Sequence, residues 1–156
     1  MSRPDAAIAT RLASLASEDA KAKVGKKLRV AGKVLCHDRK RGMMLLWNDE
    51  HAILVDIALC LVPNSSGQAS EPWLLDMLST VFVFGYLEYP DGPLQVPDPP
   101  AHYPPGKVLV IEDKQMQATL VQHAPHTDLR AWDATVAKME ALGAWGVLPR
   151  SGEHAR

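Results

Sequence analysis

The sequence has little cysteine, few aromatics and no excess of charge of either sign, and each shortage excludes something. Its two cysteines, Cys36 and Cys60, form no CxxC pair, so neither a disulfide framework nor a zinc ribbon is indicated and a reducing compartment fits. The formal charge is −1, from 17 Lys+Arg against 18 Asp+Glu. That argues against gripping nucleic acid by bulk charge, because such domains usually have a pI above about 9. The longest apolar run, Ile57 to Val62, is six residues, far below the ~20 that cross a bilayer. The N-terminal stretch carries Asp5, Glu18 and Asp19 and no apolar core segment, so no targeting leader is expected. There is no GxSxG, HExxH or GxGxxG, and Gly106-Lys107 lacks the rest of a phosphate loop; neither an enzyme nor a cofactor is expected. Cys36, His37, His51, His123 and His126 assemble into no sequence-local set of four ligands, so no metal is expected either. The sequon Asn64-Ser65-Ser66 is idle in a chain that is not secreted.

What remains is a chain of 156 residues, 47% hydrophobic and 22% charged, long enough for one domain that buries roughly two thirds of its unfolded surface. It is too short for an ordinary TIM barrel of about 250 residues. Ile8, Leu12, Leu15 and Ala16 form one apolar stripe and predict a helix over 5–22. From Leu28 the period changes to two: Leu28, Val30, Gly32, Val34 and Cys36 alternate with the other face, a strand with a bend or bulge at its glycine. A basic turn, 37–42, leads to a second strand at Met43 to Trp47. The turn Asn48-Asp49-Glu50 follows, then a third strand from His51, together a meander. Pro72 opens a short helix over 72–78. Thr80 to Tyr89 is a fourth strand, apolar on both faces with Gly85 at its centre. Seven prolines between 90 and 106 preclude a regular element there. Strand character returns at Lys107 to Ile111 and at Gln117 to His123, and a final helix follows Thr127.

Five short strands with a helix between the third and fourth is the layout of the OB-fold, a partly open Greek-key barrel. An SH3-like barrel competes, but leaves that helix as an insertion. The expected organisation is an N-terminal helical extension, 1–23, an OB domain, 24–145, with the proline-rich insertion at 90–106, and a tail, 146–156.

The run LRVAGKVLCHDRKRGMMLLWNDEHAILVDIALCLV, followed by STVFVFGYLEY, ATLVQHAPHTDL and a terminal helix, resembles the smallest subunit of the telomere-capping CST complex. That subunit is a single-OB protein related in architecture to the small subunit of replication protein A. The resemblance spans about residues 24 to 145 through LRxxGKxxxxD, an apolar second strand, a long third strand and a VxGxL element. It implies a nuclear, non-enzymatic protein of chromosome ends. Such a protein pairs with a larger OB subunit, within a heterotrimer, to bind single-stranded telomeric DNA.

OB-folds bind single strands on the face of strands two and three and its flanking loops, with aromatics stacking on bases and Lys/Arg tracking phosphates. The nucleic-acid candidates are Arg29 and Lys33 on strand one, Arg39, Lys40 and Arg41 in the first turn, and Tyr86 in strand four. A solvated outward face accounts for the same cations equally well. Trp47 shares parity with Met43 and Leu45 and reads as core or partner interface rather than as a stacking surface. In the last helix Leu129, Trp132, Val136, Met139 and Leu142 form a narrow seam. It suits either packing on a partner's helix or covering the chain's own barrel. The apolar tail Trp145-Gly146-Val147-Leu148 favours a partner. A stand-alone module binding single-stranded DNA or RNA directly is the other expectation the residues leave open.

Overall fold

The computed structural model describes residues 6–61, 71–75, 78–97 and 107–143. The sequon, the tail from Trp145 and the middle of the proline-rich insertion lie outside them. The predicted N-terminal helix is broken into three short pieces: a strand β1 (Ile8–Ala9), one helical turn α1 (Leu12–Leu15) and a 3-10 segment (Glu18–Lys23). Tertiary pairing overrides the helical stripe, because Ile8 and Ala9 run parallel to Leu28 and Arg29 and saturate that edge. Leu12 and Leu15 are still fully buried in the core.

Strands β2 (Lys27–Asp38), β3 (Met43–Asn48), β4 (His51–Asp56), β5 (Thr80–Glu88) and β6 (Leu109–His123) form one sheet in the order β2-β3-β4-β6-β5. β5 returns to pair with β2, which closes the barrel. Only the β4–β6 contact within the barrel is parallel. This is the five-stranded Greek-key closure of an OB-fold. A helical turn α2 (Pro72–Leu75) lies between β4 and β5 and contributes Trp73 and Leu74 to the core. The terminal helix α3 (Leu129–Ala141) starts on Asp128, whose carboxylate accepts from the Ala131 N–H at 3.2 Å.

Barrel closure depends on β2 serving two neighbours. Lys27 to Lys33 pair with β5 and Lys33 to Asp38 with β3, with a register shift between Val34 and Cys36. That bulge turns both Val34 and Leu35 into buried positions, so Cys36 is half-buried rather than core. A Cβ on Gly32 would lie 2.9 Å from the Trp47 carbonyl, and one on Gly85 2.1 Å from that of Gln117. Both glycines are therefore required by close strand approach, and Gly85 sits at the β5–β6 register shift. The two strand segments expected after residue 107 are one strand, β6. Its register against β4 jumps from Val110 to Gln115 across the polar run Glu112-Asp113-Lys114, which reads as a loop by composition yet is built as an irregularity in a continuing strand.

Candidate nucleic-acid and partner interface

Alternation sorts the barrel's side chains into an interior and two outer faces. Met44, Leu46, Ile53 and Val55 point inward to the main core. Their neighbours Met43, Leu45, Trp47, Ala52 and Leu54 therefore point outward from β3 and β4, on the face where OB-folds bind single strands. Here that face is apolar and roofed by the chain itself. Leu35, Leu45 and Ala52 form a second buried cluster with Cys36, Trp47, Leu78, Val108 and Val110. Cys36 Sγ donates to the Pro97 carbonyl at 3.5 Å, and Trp47 Nε1–H donates to the Lys107 carbonyl at 3.2 Å. Leu54 and Met43 line a hollow of about 280 Å³ with Pro90, Pro93 and Leu94 at the lower end of the same face. The described parts of the proline-rich insertion thus lie over β3 and β4. Proline suits this role, since it lacks an N–H and so cannot extend the sheet.

The turn cations sit beside this roof, and two of the three are engaged within the chain. Arg39 lies 3.8 Å from the buried Glu71 carboxylate, and Arg41 Nε lies 3.4 Å from Asp38. Lys40 is exposed.

The second outer face belongs to β2, β5 and β6. Register places Lys27 opposite Tyr86, Arg29 opposite Phe84 and Ala31 opposite Phe82, with Gln117, Leu120 and Gln122 on the far side of the aromatic row. Arg29 lies over the Phe82 ring, 5.9 Å from its centroid. Tyr86 is 40% and Leu120 53% exposed. Of the nucleic-acid candidates, Arg29, Lys33 and Tyr86 share this face, while the 39–41 turn belongs to the other. Phe84, Lys27 and Leu120 were missed by sequence reasoning. The signal for Phe84 is the two-faced apolar pattern of 80–89, which assigns outward as well as inward residues to one strand; Lys27 and Leu120 join it only through the register of β2 and β6 with β5.

α3 crosses this second face at its upper end. The Ala31 side chain beneath it is fully buried, and Trp132 packs against Phe82 with centroids 5.9 Å apart. Asn48 Nδ2 donates to Asp133 at 3.1 Å near one end of the helix. At the other end Glu140 accepts from the Arg11 guanidinium, the Arg11 backbone N–H and the Ser14 hydroxyl. Burial alone would raise the Glu140 carboxyl, but these donors hold it below its ordinary range. Burial pushes the Asp133 carboxyl up, against the opposing bond from Asn48. Within the seam only Val136 is buried; Leu129, Trp132 and Met139 are half-buried and Leu142 is 70% exposed. Trp47 comes close to the helix start: it lines a hollow of about 460 Å³ together with Lys33, Leu129 and Arg130.

No protein-family model matches the sequence, and comparison with curated proteins finds no match. Among solved structures, a chain of the S. pombe Stn1–Ten1 complex has a TM-score of 0.54 at 17% identity, over 88% of this chain and 94% of that one. The telomere capping protein Ten1 of S. pombe has 0.53 at 15% identity, over 87% and 99%. An asparaginyl-tRNA synthetase of Entamoeba histolytica reaches 0.50 at 12% identity over 92% of this chain, but only 31% of its own. At these identities the likeness is one of fold: a single OB barrel with flanking helices, matched nearly end to end by the first two and as one part of the third.

Proposed function

We propose that this chain is the small, non-enzymatic OB subunit of a telomere-capping assembly of the Stn1–Ten1 kind. It joins a larger OB-fold partner through α3 and supports that assembly's hold on single-stranded telomeric DNA in the nucleus. The observation that carries this reading is the roofed β3–β4 face. A barrel whose usual single-strand face is partly covered by its own Lys107, Val108 and Val110, with Pro97 beside it on Cys36, is poorly built to act as a free-standing binder there. α3 by contrast leaves Leu142 and the outer edges of Trp132 and Met139 in solvent, the kind of apolar anchors on which interface energy concentrates. Near-complete coverage of Ten1 by the same barrel and helices supports the assignment. With a net charge of −1, counterion release gives the lone chain little affinity for DNA.

The test is co-expression with a larger OB-fold subunit of the Stn1 type, followed by size exclusion and titration with telomeric single strands. A stoichiometric heterodimer that binds the strand far more tightly than either subunit supports the reading. A chain that stays monomeric beside the partner and binds single strands alone at nanomolar affinity contradicts it.

A further inference from the structure

The lower half of the β2–β5–β6 face, below α3, is a surface that neither the fold's usual groove nor the proposed partner helix accounts for. Phe84 and Tyr86 stand two residues apart on β5 and point to the same side, about 6.7 Å apart along the strand. An extended single strand spans a comparable distance per nucleotide. Directly across the ladder from them are Arg29 and Lys27, and on the opposite flank Gln117 and Leu120. The outward residues of this patch carry two cations, two aromatic rings and amide and aliphatic neighbours, with a carboxylate, Glu88, at its edge on the same side of β5. The nearest acid on β5, Glu88, lies at the end of the strand and is bonded to Gln115 Nε2 at 2.8 Å. The backbone that carries the rings is fixed: the exposed Thr119 Oγ1–H donates to the Phe84 carbonyl at 3.1 Å, and β5 is paired on both edges.

We infer that this face is a stacking platform for two successive bases of a single-stranded nucleic acid, with Lys27 and Arg29 alongside its phosphates. Charge complementarity selects the occupant. A peptide strand would find no free backbone edge, because β5 is paired on both sides, whereas a phosphodiester strand offers π-faces to the rings and negative charge to β2. Contacts of this kind carry no base preference, since every base has a π-face and the cations read only backbone. The inference extends the subunit reading but does not need the partner, because the residues it uses all belong to this chain.

The experiment is fluorescence anisotropy of labelled oligo(dT) and oligo(rU) of about 15 nucleotides, at low salt and protein concentrations up to hundreds of micromolar, on the full chain and on the heterodimer. The full chain should bind both in the range of non-specific affinities, about 10⁻⁴–10⁻⁶ M. Tyr86→Ala should weaken binding about tenfold, and Tyr86→Phe should restore it, since the ring rather than the hydroxyl is used. Lys27→Glu should weaken binding and lower the salt slope by about one. Equal effects on dT and rU support a platform for either backbone, and a larger effect on one names the source of the strand. Tyr86→Ala with unchanged melting and unchanged affinity overturns the proposal, as does an absence of binding by both preparations. If Tyr86→Ala instead releases the larger OB subunit and leaves oligonucleotide binding intact, the face belongs to the protein interface and the proposal fails. Failure of the subunit reading is separately visible, as no heterodimer with the wild-type chain.

Discussion

On β3 and β4 the outward residues are Met43, Leu45, Trp47, Ala52 and Leu54; on β2 and β5 they are Lys27, Arg29, Phe84 and Tyr86. In the first set Leu45, Trp47 and Ala52 pack with Val108 and Val110 and Trp47 donates to the Lys107 carbonyl, whereas in the second Tyr86 is exposed and Lys27, Arg29 and Phe84 are half-buried among the described residues. Both faces come from the same barrel and the same period-two alternation, so the strands alone do not decide which one is available to a ligand. The connections decide it. The described parts of the β5–β6 connection lie against one face, and among the described residues the terminal helix covers the upper end of the other. A shared fold therefore gives the position of a groove without guaranteeing that the groove is open.

The largest effect that would break this contrast is on stability. Leu45 points outward yet is almost fully buried, so Leu45→Ala should cost about 3 kcal/mol in urea unfolding. Tyr86→Ala, outward on the open face, should stay within about 0.5 kcal/mol. Equal, small costs would mean that the roof is not in place in solution. Next comes binding: Leu142→Glu should weaken capture of the larger OB subunit roughly thirtyfold, about 2 kcal/mol, with an unchanged melt. Val136→Ala should lower the melting temperature, because Val136 is packed against the chain's own sheet. If Leu142→Glu leaves the affinity untouched, α3 serves only its own barrel.

A smaller effect separates the two ends of α3 by pH. Glu140 titrates below its unfolded value of about 4.3, so its contribution is present above that pH and is lost as the pH falls through the lower folded value. Glu140→Gln should therefore reduce stability at pH 7 by about 1 kcal/mol and flatten the acid limb of the melting curve. Asp133 titrates above its unfolded value of about 3.9, so its ionised form opposes folding at neutral pH and this opposition fades on acidification. Asp133→Asn should be neutral or mildly stabilising at pH 7 and indistinguishable from wild type near pH 3. The smallest expected change is in the turn: Lys40→Glu should alter the salt slope of DNA binding by the heterodimer by no more than about one, because Arg39 and Arg41 are already engaged by Glu71 and Asp38.

The strands of the meander and the terminal helix are legible because each rests on a local period and its turn residues. The N-terminal stripe was misread as one helix since Ile8 and Leu12 have helical spacing, whereas the pairing of Ile8 with Leu28 is visible only in three dimensions. β6 was read as two strands because Glu112-Asp113-Lys114 interrupts the apolar pattern, and only β4 and β5 on either side keep it in the sheet. The sequence offers the candidate residues one by one but not as a surface. Arg29 and Tyr86 were singled out, yet their alignment with Phe84 and Lys27 depends on the β2–β5 register, and no sequence period encodes which strand returns to close a barrel. The covering of Leu45 and Trp47 was hidden for the same reason, since a proline-rich run states what it cannot form and not where it lies.

The central claim is that the chain meets its partner on α3 and keeps its β3–β4 face closed. Hydrogen–deuterium exchange on the full chain, free and bound to the larger OB subunit, tests it most directly. The account predicts new protection over 129–142 on binding, with amides of 43–56 equally slow in both states. New protection at 43–56 accompanied by faster exchange at 90–97, the signature of a partner that displaces the roof, would contradict it.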